Sequence, residues 1–438
     1  MNRRTIHEWD DLFVTRDGEG QTVTRSQAKR LMAVAQAAQA SLRLGGSEAE
    51  RILVDYGKRL HAQQVVGVLV APDVSLEILP KIDPLEPDGT RINLIRMLAR
   101  TLDVKIAGGA LMPVGWQYRD TLEILIRFFC DKLLHAVHRG LTRRYVRHED
   151  DLPMLRGRND VKRQFTILAA SPHRVASRYD ELSADTPLNQ ILKAAVTRLR
   201  VISRALENQR RLNELEFALA DVTRLPAKQL AQEQVVLDRT NIAYHDLLKL
   251  ARALLHGHYQ SIGGEEGIGF SLLFDMNRLF EEFIGRTLRK AMRDSGLLVR
   301  LQNPKSYALS EIGTNEPRFM TKPDIVIQSG DTPVMVIDTK WKQLAAIDDS
   351  KRGVSQSDVY QMMAYAQIYR VKHLMLLYPH HNELGKDEGV ICDYRITGAE
   401  EVRLSIATIS LADLDRDRIS SRIKSLIAGV GLPCGREA

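Results

Sequence analysis

Pro323-Asp324, followed after thirteen intervening residues by Asp338-Thr339-Lys340, sets two carboxylates and an ammonium at the ends of two apolar runs. Asp338 and Lys340 are two apart after Val334-Met335-Val336-Ile337, so in a strand both side chains take the same face. Asp324 opens the other run, Ile325-Val326-Ile327, and Ser329-Gly330-Asp331-Thr332-Pro333 between the runs is a turn-forming stretch. A hairpin of the two would bring Asp324 beside Asp338. Hard oxygen donors of this kind suit Mg²⁺, with Mn²⁺ as the alternative, together with waters and a phosphate. Such an ion polarises a phosphodiester and lowers the pKa of a bound water, while Lys340 orients that water or stabilises the charge that develops. The plainer reading is a salt bridge between two surface strand ends. Against it, both runs are near-continuously apolar, as strands buried on both faces are, and charges that end such strands are well placed for a site.

The elements around this pair supply helpers. Gln361 and Tyr365 are four apart, hence on one face of a helix expected over 358–370, where they could reach the site or a DNA strand. A polar pair capping the core explains them equally well. In Phe274-Asp275-Met276-Asn277-Arg278-Leu279-Phe280-Glu281-Glu282, the carboxylate of Glu281 or Glu282 could join the metal, and spacing does not choose between them. His256-Gly257-His258 has no acidic or cysteine partner nearby and reads as a loop. No GxSxG nucleophile elbow, dinucleotide fingerprint or cysteine cluster occurs.

The chain order positions these residues. The turn-forming tripeptide Ala71-Pro72-Asp73 joins Val65–Val70 to Val74–Leu79 as a hairpin; helices are expected over 92–102 and, as one long amphipathic element, 116–145. Thr186 before Pro187 marks a helix start. A second helix runs over 241–256, and the glycine-rich segment 261–267 reads as a linker. Beyond it come a helix over 275–293, strands at 297–301, 324–328 and 334–338, the helix over 358–370 and a strand at 373–378. The last strand is therefore reached by a crossover helix. The expected architecture is an α/β C-terminal core, a mixed sheet flanked by helices, after a β-rich and helical N-terminal half. The expected domains are an α+β domain over 1–165, a helical middle over 166–265 and the core over 266–438.

Composition narrows the class without naming an activity. The chain has 438 residues, 44% of them hydrophobic, with 62 Lys+Arg against 55 Asp+Glu. That is an ordinary globular balance, and a net charge of +7 over this length hints at a polyanionic partner no more strongly than at simple solubility. Three scattered cysteines form neither a metal knuckle nor a disulfide framework, which points to the cytoplasm. No apolar run spans a membrane and no signal peptide is expected.

Taken together, the motifs resemble the PD-(D/E)xK nucleases of the RecB-like branch. More narrowly they resemble the McrC family, nuclease subunits of the McrBC modification-dependent restriction systems. The strings that carry the resemblance are Leu76-Glu77-Ile78-Leu79-Pro80-Lys81, Leu155-Arg156-Gly157-Arg158, Tyr179 to Asn189, Phe274 to Glu281, Ile337-Asp338-Thr339-Lys340-Trp341 and Asp358-Val359-Tyr360-Gln361-Met362. The resemblance implies a Mg²⁺-dependent endodeoxyribonuclease that restricts foreign or modified DNA. Asp324, Asp338 and Glu281 would bind metal, Lys340 would act on water, and Gln361 and Tyr365 would assist. It also implies a separate AAA+ GTPase of the McrB type, assembled as a hexameric ring, into which the N-terminal half docks and whose GTP hydrolysis it stimulates. By the same resemblance the modified-cytosine reader is expected on that partner. Arg156 and Arg158 would be partner contacts, against the plainer reading of an exposed basic turn. The chain has no GxxxxGK[ST] loop, so it binds no nucleotide alone. The alternatives are a regulatory adaptor of the motor with an inactive nuclease site, and a stand-alone RecB-like exonuclease.

Overall fold

The computed structural model describes residues 2–42, 51–81, 87–104, 120–171, 173–230, 233–239, 241–256, 258–261, 268–344, 353–385 and 387–431. The chain divides into two compact units, one of residues 1–122 with 258–438, the other of 123–257. This is not the three-part division expected at 165 and 265. The reason is strand pairing. Ile268–Asp275, just after the glycine-rich segment, pairs antiparallel with Val65–Val70, with Phe270 opposite Val70 and Asp275 opposite Val65. The start assigned to the core is thus also part of an N-terminal sheet. Residues 262–267 themselves lie outside the described residues, as do the side chains of His256 and His258.

In the first unit, that sheet runs Asn2–His7, Val74–Leu79, Val65–Val70, Ile268–Asp275, His258–Ser261. The expected hairpin is present, with Val68 opposite Glu77. Gly67 permits the close approach of the next strand: it sits at φ +130°, and a Cβ there would lie 2.0 Å from the Leu272 carbonyl oxygen. A four-stranded sheet, Thr22–Thr24, Asp11–Thr15, Arg59–Ala62 and Leu53–Asp55, shares a core with the helix Arg25–Leu42 through Leu12, Leu31, Leu53 and Leu60, and Leu76 of the first sheet joins it.

The third sheet of this unit carries the Asp338 motif. Its order is Leu297–Leu301, Ile325–Ser329, Thr332–Thr339, His373–Pro379, Ala399–Ile409, Gly389–Ile396. The pairs before Thr332–Thr339 are antiparallel, and the next two are parallel, so the sheet is mixed. The helix Gln356–Tyr369 makes the crossover between the parallel strands, as expected. Ser355 caps its start, and Arg370, at φ +53°, ends it in the left-handed conformation. Val326, Val336, Leu374 and Leu376 pack with Met362, Tyr365 and Tyr369 of that helix. By alternation, Asp324 and Asp338 take the same face as Val326 and Val336. The helix Met276–Ala291, capped by Asp275, packs against Leu297–Leu301 and Thr332–Thr339. Among the described residues, no helix is long and apolar enough to cross a membrane.

The second unit is not purely helical. Arg144–Leu152, Val175–Ser183 and Arg158–Asn159 form an antiparallel sheet. The long helix expected over 116–145 is seen as Thr121–His138, and Gly140, at φ +102°, stands between it and the first of those strands. Residues 116–119 lie outside the described residues. Thr186 accepts from the Asn189 N–H and Pro187 is the first helical residue of Pro187–Ile202, as the sequence predicts. That helix packs on Leu206–Ala218 and on His245–His256. A buried carboxylate fixes the turn between the first two: Glu123 accepts from Ser203 Oγ at 2.8 Å, Asn208 Nδ2 at 2.7 Å and the Arg204 N–H at 2.6 Å.

Candidate active site

The hairpin pairs Ile325 with Ile337, so Asp324 and Asp338 stand at the same end of adjacent strands. Asp338 is 1% exposed. The Lys340 ammonium lies 2.7 Å from Asp338 Oδ2. The approach is off the direction a hydrogen bond needs, and that buried oxygen accepts none. Lys340 Nζ instead donates to Gln361 Oε1 at 3.1 Å, and Gln361 Nε2 donates to the Tyr365 hydroxyl at 2.9 Å. One oxygen of Asp324 is held by Thr339, whose N–H and hydroxyl donate to Oδ2 at 2.8 and 2.9 Å.

Glu281 faces these carboxylates and Glu282 does not. Glu281 Oε1 accepts from Gln302 Nε2 at 2.6 Å, and the Gln302 N–H donates to the Asp324 carbonyl at 2.9 Å. Glu282 turns to its own helix, where Arg286 Nε donates to it at 2.7 Å. Sequence spacing held no signal for Gln302. Its backbone, at φ +52°, is the kind of outlier that collects where geometry is constrained by function. Asp358, which in the sequence only precedes Gln361 on its helix, pairs with Lys342 at 3.0 Å and lies 3.8 Å from Lys340.

The electrostatics follow from burying like charges together. Desolvation pushes Asp324 up to about 6, helped by Glu281 and opposed by the two Thr339 hydrogen bonds. Desolvation likewise pushes Asp338 up to about 6, helped by Asp324 and opposed by Lys340. Burial also raises Glu281, with Glu282 and Asp338 adding to it and Gln302 opposing. For Lys340, burial works against the charged form, but Asp338 outweighs it and the net shift is upward. Tyr365 is pushed up to about 12, chiefly by burial, and stays a neutral phenol. Desolvation is the largest cause for each of the three carboxyls, and an added cation would favour their charged forms.

Whether the residues fit a divalent ion can be judged from these contacts. Among the described residues no three His, Cys, Asp or Glu side chains form a ready-made cage. Mg²⁺ does not need one, since one or two carboxylates with waters suffice. Asp338 Oδ2 is a buried oxygen that faces the Lys340 ammonium and accepts no well-directed hydrogen bond, and Asp324 is turned to the same end. The pair fits.

Arg156 and Arg158 lie in the second unit and differ in their engagements. The Arg156 guanidinium stacks 4.1 Å over the Tyr179 ring and pairs with Glu181 at 3.4 Å. Arg158 is exposed and, among the described residues, its side chain has no hydrogen bond or ion pair. Gly157 between them sits at φ +74°, and a Cβ there would lie 2.4 Å from the Arg178 carbonyl oxygen.

Comparison with known proteins extends over most of the chain. In fold, it is similar to a chain of the refined half-complex from the tetradecameric assembly of Thermococcus gammatolerans McrB AAA+ hexamers with bound McrC. The TM-score is 0.75 at 22% identity, covering 97% of this chain and 100% of that one. A chain of the Thermococcus gammatolerans McrBC complex is similar at a TM-score of 0.56 and 23% identity, covering 66% and 88%. No curated protein matches. The family model described as McrBC 5-methylcytosine restriction system component matches residues 60–379, well over half the chain, and the chain belongs to that family.

Proposed function

We propose that this chain is the endonuclease subunit of a GTP-dependent, modification-dependent restriction complex, built on a PD-(D/E)xK core, and that it hydrolyses phosphodiesters of DNA with Mg²⁺. The observation that carries the reading is the buried Asp338 with an oxygen free of hydrogen bonds, 2.7 Å from Lys340 and at the same strand end as Asp324. Asp324 and Asp338 would hold the ion, with Glu281 facing them as a further carboxylate, and the ion would supply charge stabilisation at the phosphate and a more acidic water. Lys340, with its pKa raised, carries a full positive charge at neutral pH and offers it to the developing negative charge of the phosphate. Gln361 fixes the direction of the ammonium, and Tyr365 fixes Gln361. The partner in this reading is an AAA+ GTPase ring, and DNA containing modified cytosine is the substrate. Family membership supports both, as does the likeness in fold to a chain solved with McrB AAA+ hexamers.

Asp338→Ala and Lys340→Ala test the reading in the complex reconstituted with the GTPase. Cleavage of modified DNA should be abolished in both, while association with the partner survives. Full cleavage by both variants ends the proposal. GTPase stimulation by the wild-type chain without cleavage, in either Mg²⁺ or Mn²⁺, would instead favour a regulatory adaptor.

A further inference from the structure

Trp341 follows Lys340 and is 3% exposed. Its indole Nε1 donates to Glu8 Oε1 at 2.6 Å, across 333 residues of chain. Its carbonyl accepts from Gln64 Nε2 at 3.0 Å. Both partners belong to the N-terminal sheet region, Glu8 just after Asn2–His7 and Gln64 just before Val65–Val70. The Glu8 carboxylate is itself fixed, because Oε1 also accepts from the Lys81 N–H at 3.1 Å. Gln64 Nε2 reaches Asn277 Oδ1 as well, at 3.0 Å, near the start of the helix that carries Glu281. On that helix the Phe280 ring lies 5.4 Å from the indole, tilted by 60°. Trp341 therefore neighbours Lys340 in sequence and, in space, the residue before Glu281.

Packing alone does not ask for this arrangement. A buried carboxyl is costly, and an apolar side chain of similar size would fill the space more cheaply. What Glu8 supplies is a directed acceptor for one indole N–H. We propose that Trp341 is a positioning residue, fastened through Glu8 and Gln64, that holds Lys340 and Glu281 in register with each other at the nuclease site. The proposal rests on the nuclease reading above.

The test uses the full-length chain with its GTPase partner, GTP, Mg²⁺ and a methylated duplex, in single turnover. Trp341→Phe and Glu8→Ala should slow cleavage about tenfold, with the KM for DNA unchanged, because misplaced groups lose rate before binding. Glu8→Gln keeps the acceptor oxygen and should cut at close to the wild-type rate. Without metal, amide exchange over 340–344 should quicken in Glu8→Ala and not in Glu8→Gln. Wild-type rates in both Trp341→Phe and Glu8→Ala overturn the proposal. So does an equal loss in Glu8→Gln, which would trace the effect to charge. Should Trp341→Phe fail to fold, the amide exchange and cleavage of Glu8→Ala, Glu8→Gln and Gln64→Ala decide it. Asp338→Ala, run alongside, separates the two readings: if it cuts fully the nuclease assignment falls, and if it is dead while Trp341→Phe and Glu8→Ala cut fully only the tether falls.

Discussion

Glu281 and Glu282 are neighbours on one helix, and their partners tell them apart. Gln302 holds Glu281 toward Asp324, whereas Arg286 occupies Glu282. Glu281→Gln should therefore weaken Mg²⁺ binding about tenfold, as loss of a ligand or its support does, while Glu282→Gln leaves it unchanged. Calorimetric titration of the two variants checks this, and equal losses would remove Glu281 from the site. The pH dependence has a definite sign. Asp324 and Asp338 are both pushed up to about 6, so below that pH protons occupy the oxygens that a metal needs. Mg²⁺ affinity should fall as pH drops from 7 to 5, and because the carboxyls are coupled the midpoint belongs to the cluster rather than to either residue. An affinity flat across that range would contradict this. Gln302 adds a residue that spacing could not reveal, since its role depends on a left-handed backbone and on two elements meeting.

At the scale of elements, local signals served best. The hairpin of Asp324 and Asp338 was legible because two apolar runs and the turn-forming stretch between them lie within a few residues, and the crossover helix because it stands between two such strands. The strand Val175–Ser183 was not, because its buried residues are the adjacent Ala176 and Ser177, which leave no periodic apolar face to read. Nor was the pairing of Ile268–Asp275 with Val65–Val70, a contact between segments some 200 residues apart in numbering that no local pattern encodes. The exposed sheet of the second unit yields its own prediction. Gly157 is required by its positive φ and by the Arg178 carbonyl, so Gly157→Ala should destabilise that unit by about 1–3 kcal/mol, read as a lower unfolding midpoint. The Arg158 side chain is exposed and has no hydrogen bond or ion pair among the described residues, so Arg158→Ala should leave that midpoint alone. If it contacts the partner, its loss should lower GTPase stimulation about tenfold, within the usual range of coupling energies. Stimulation unchanged in Arg158→Ala would assign this turn to the plainer reading of a solvated basic loop.

At the scale of the whole molecule, the two stretches of chain that make up the first unit are tied to each other. A strand from residues 2–7 and a loop after residue 340 meet at one carboxyl, Glu8, which desolvation pushes up to about 7 despite the donors Trp341 and Lys81. In the unfolded chain this carboxyl titrates near 4.5. A folded-state pKa above the unfolded value means that the contribution to stability is fully present below the unfolded pKa and is lost as pH rises toward 7. A tenfold difference in proton affinity between the folded and unfolded chain is worth about 1.4 kcal/mol, so the whole loss between pH 4.5 and pH 8 is about 3 kcal/mol. The other raised carboxyls of this unit, Asp324, Asp338 and Glu281, move stability in the same direction, so the wild-type curve alone cannot isolate Glu8. A difference curve can. Glu8→Gln keeps the acceptor oxygen and removes the ionisation, mimicking the protonated acid at every pH. Its unfolding midpoint should match that of the wild type near pH 5 and exceed it by a growing margin up to pH 8, measured without metal. A margin constant with pH would mean that Glu8 has the same pKa in the folded and the unfolded chain, so that burial does not raise it. A negative margin at pH 8 would mean that the charged form of Glu8 is the one the folded chain stabilises.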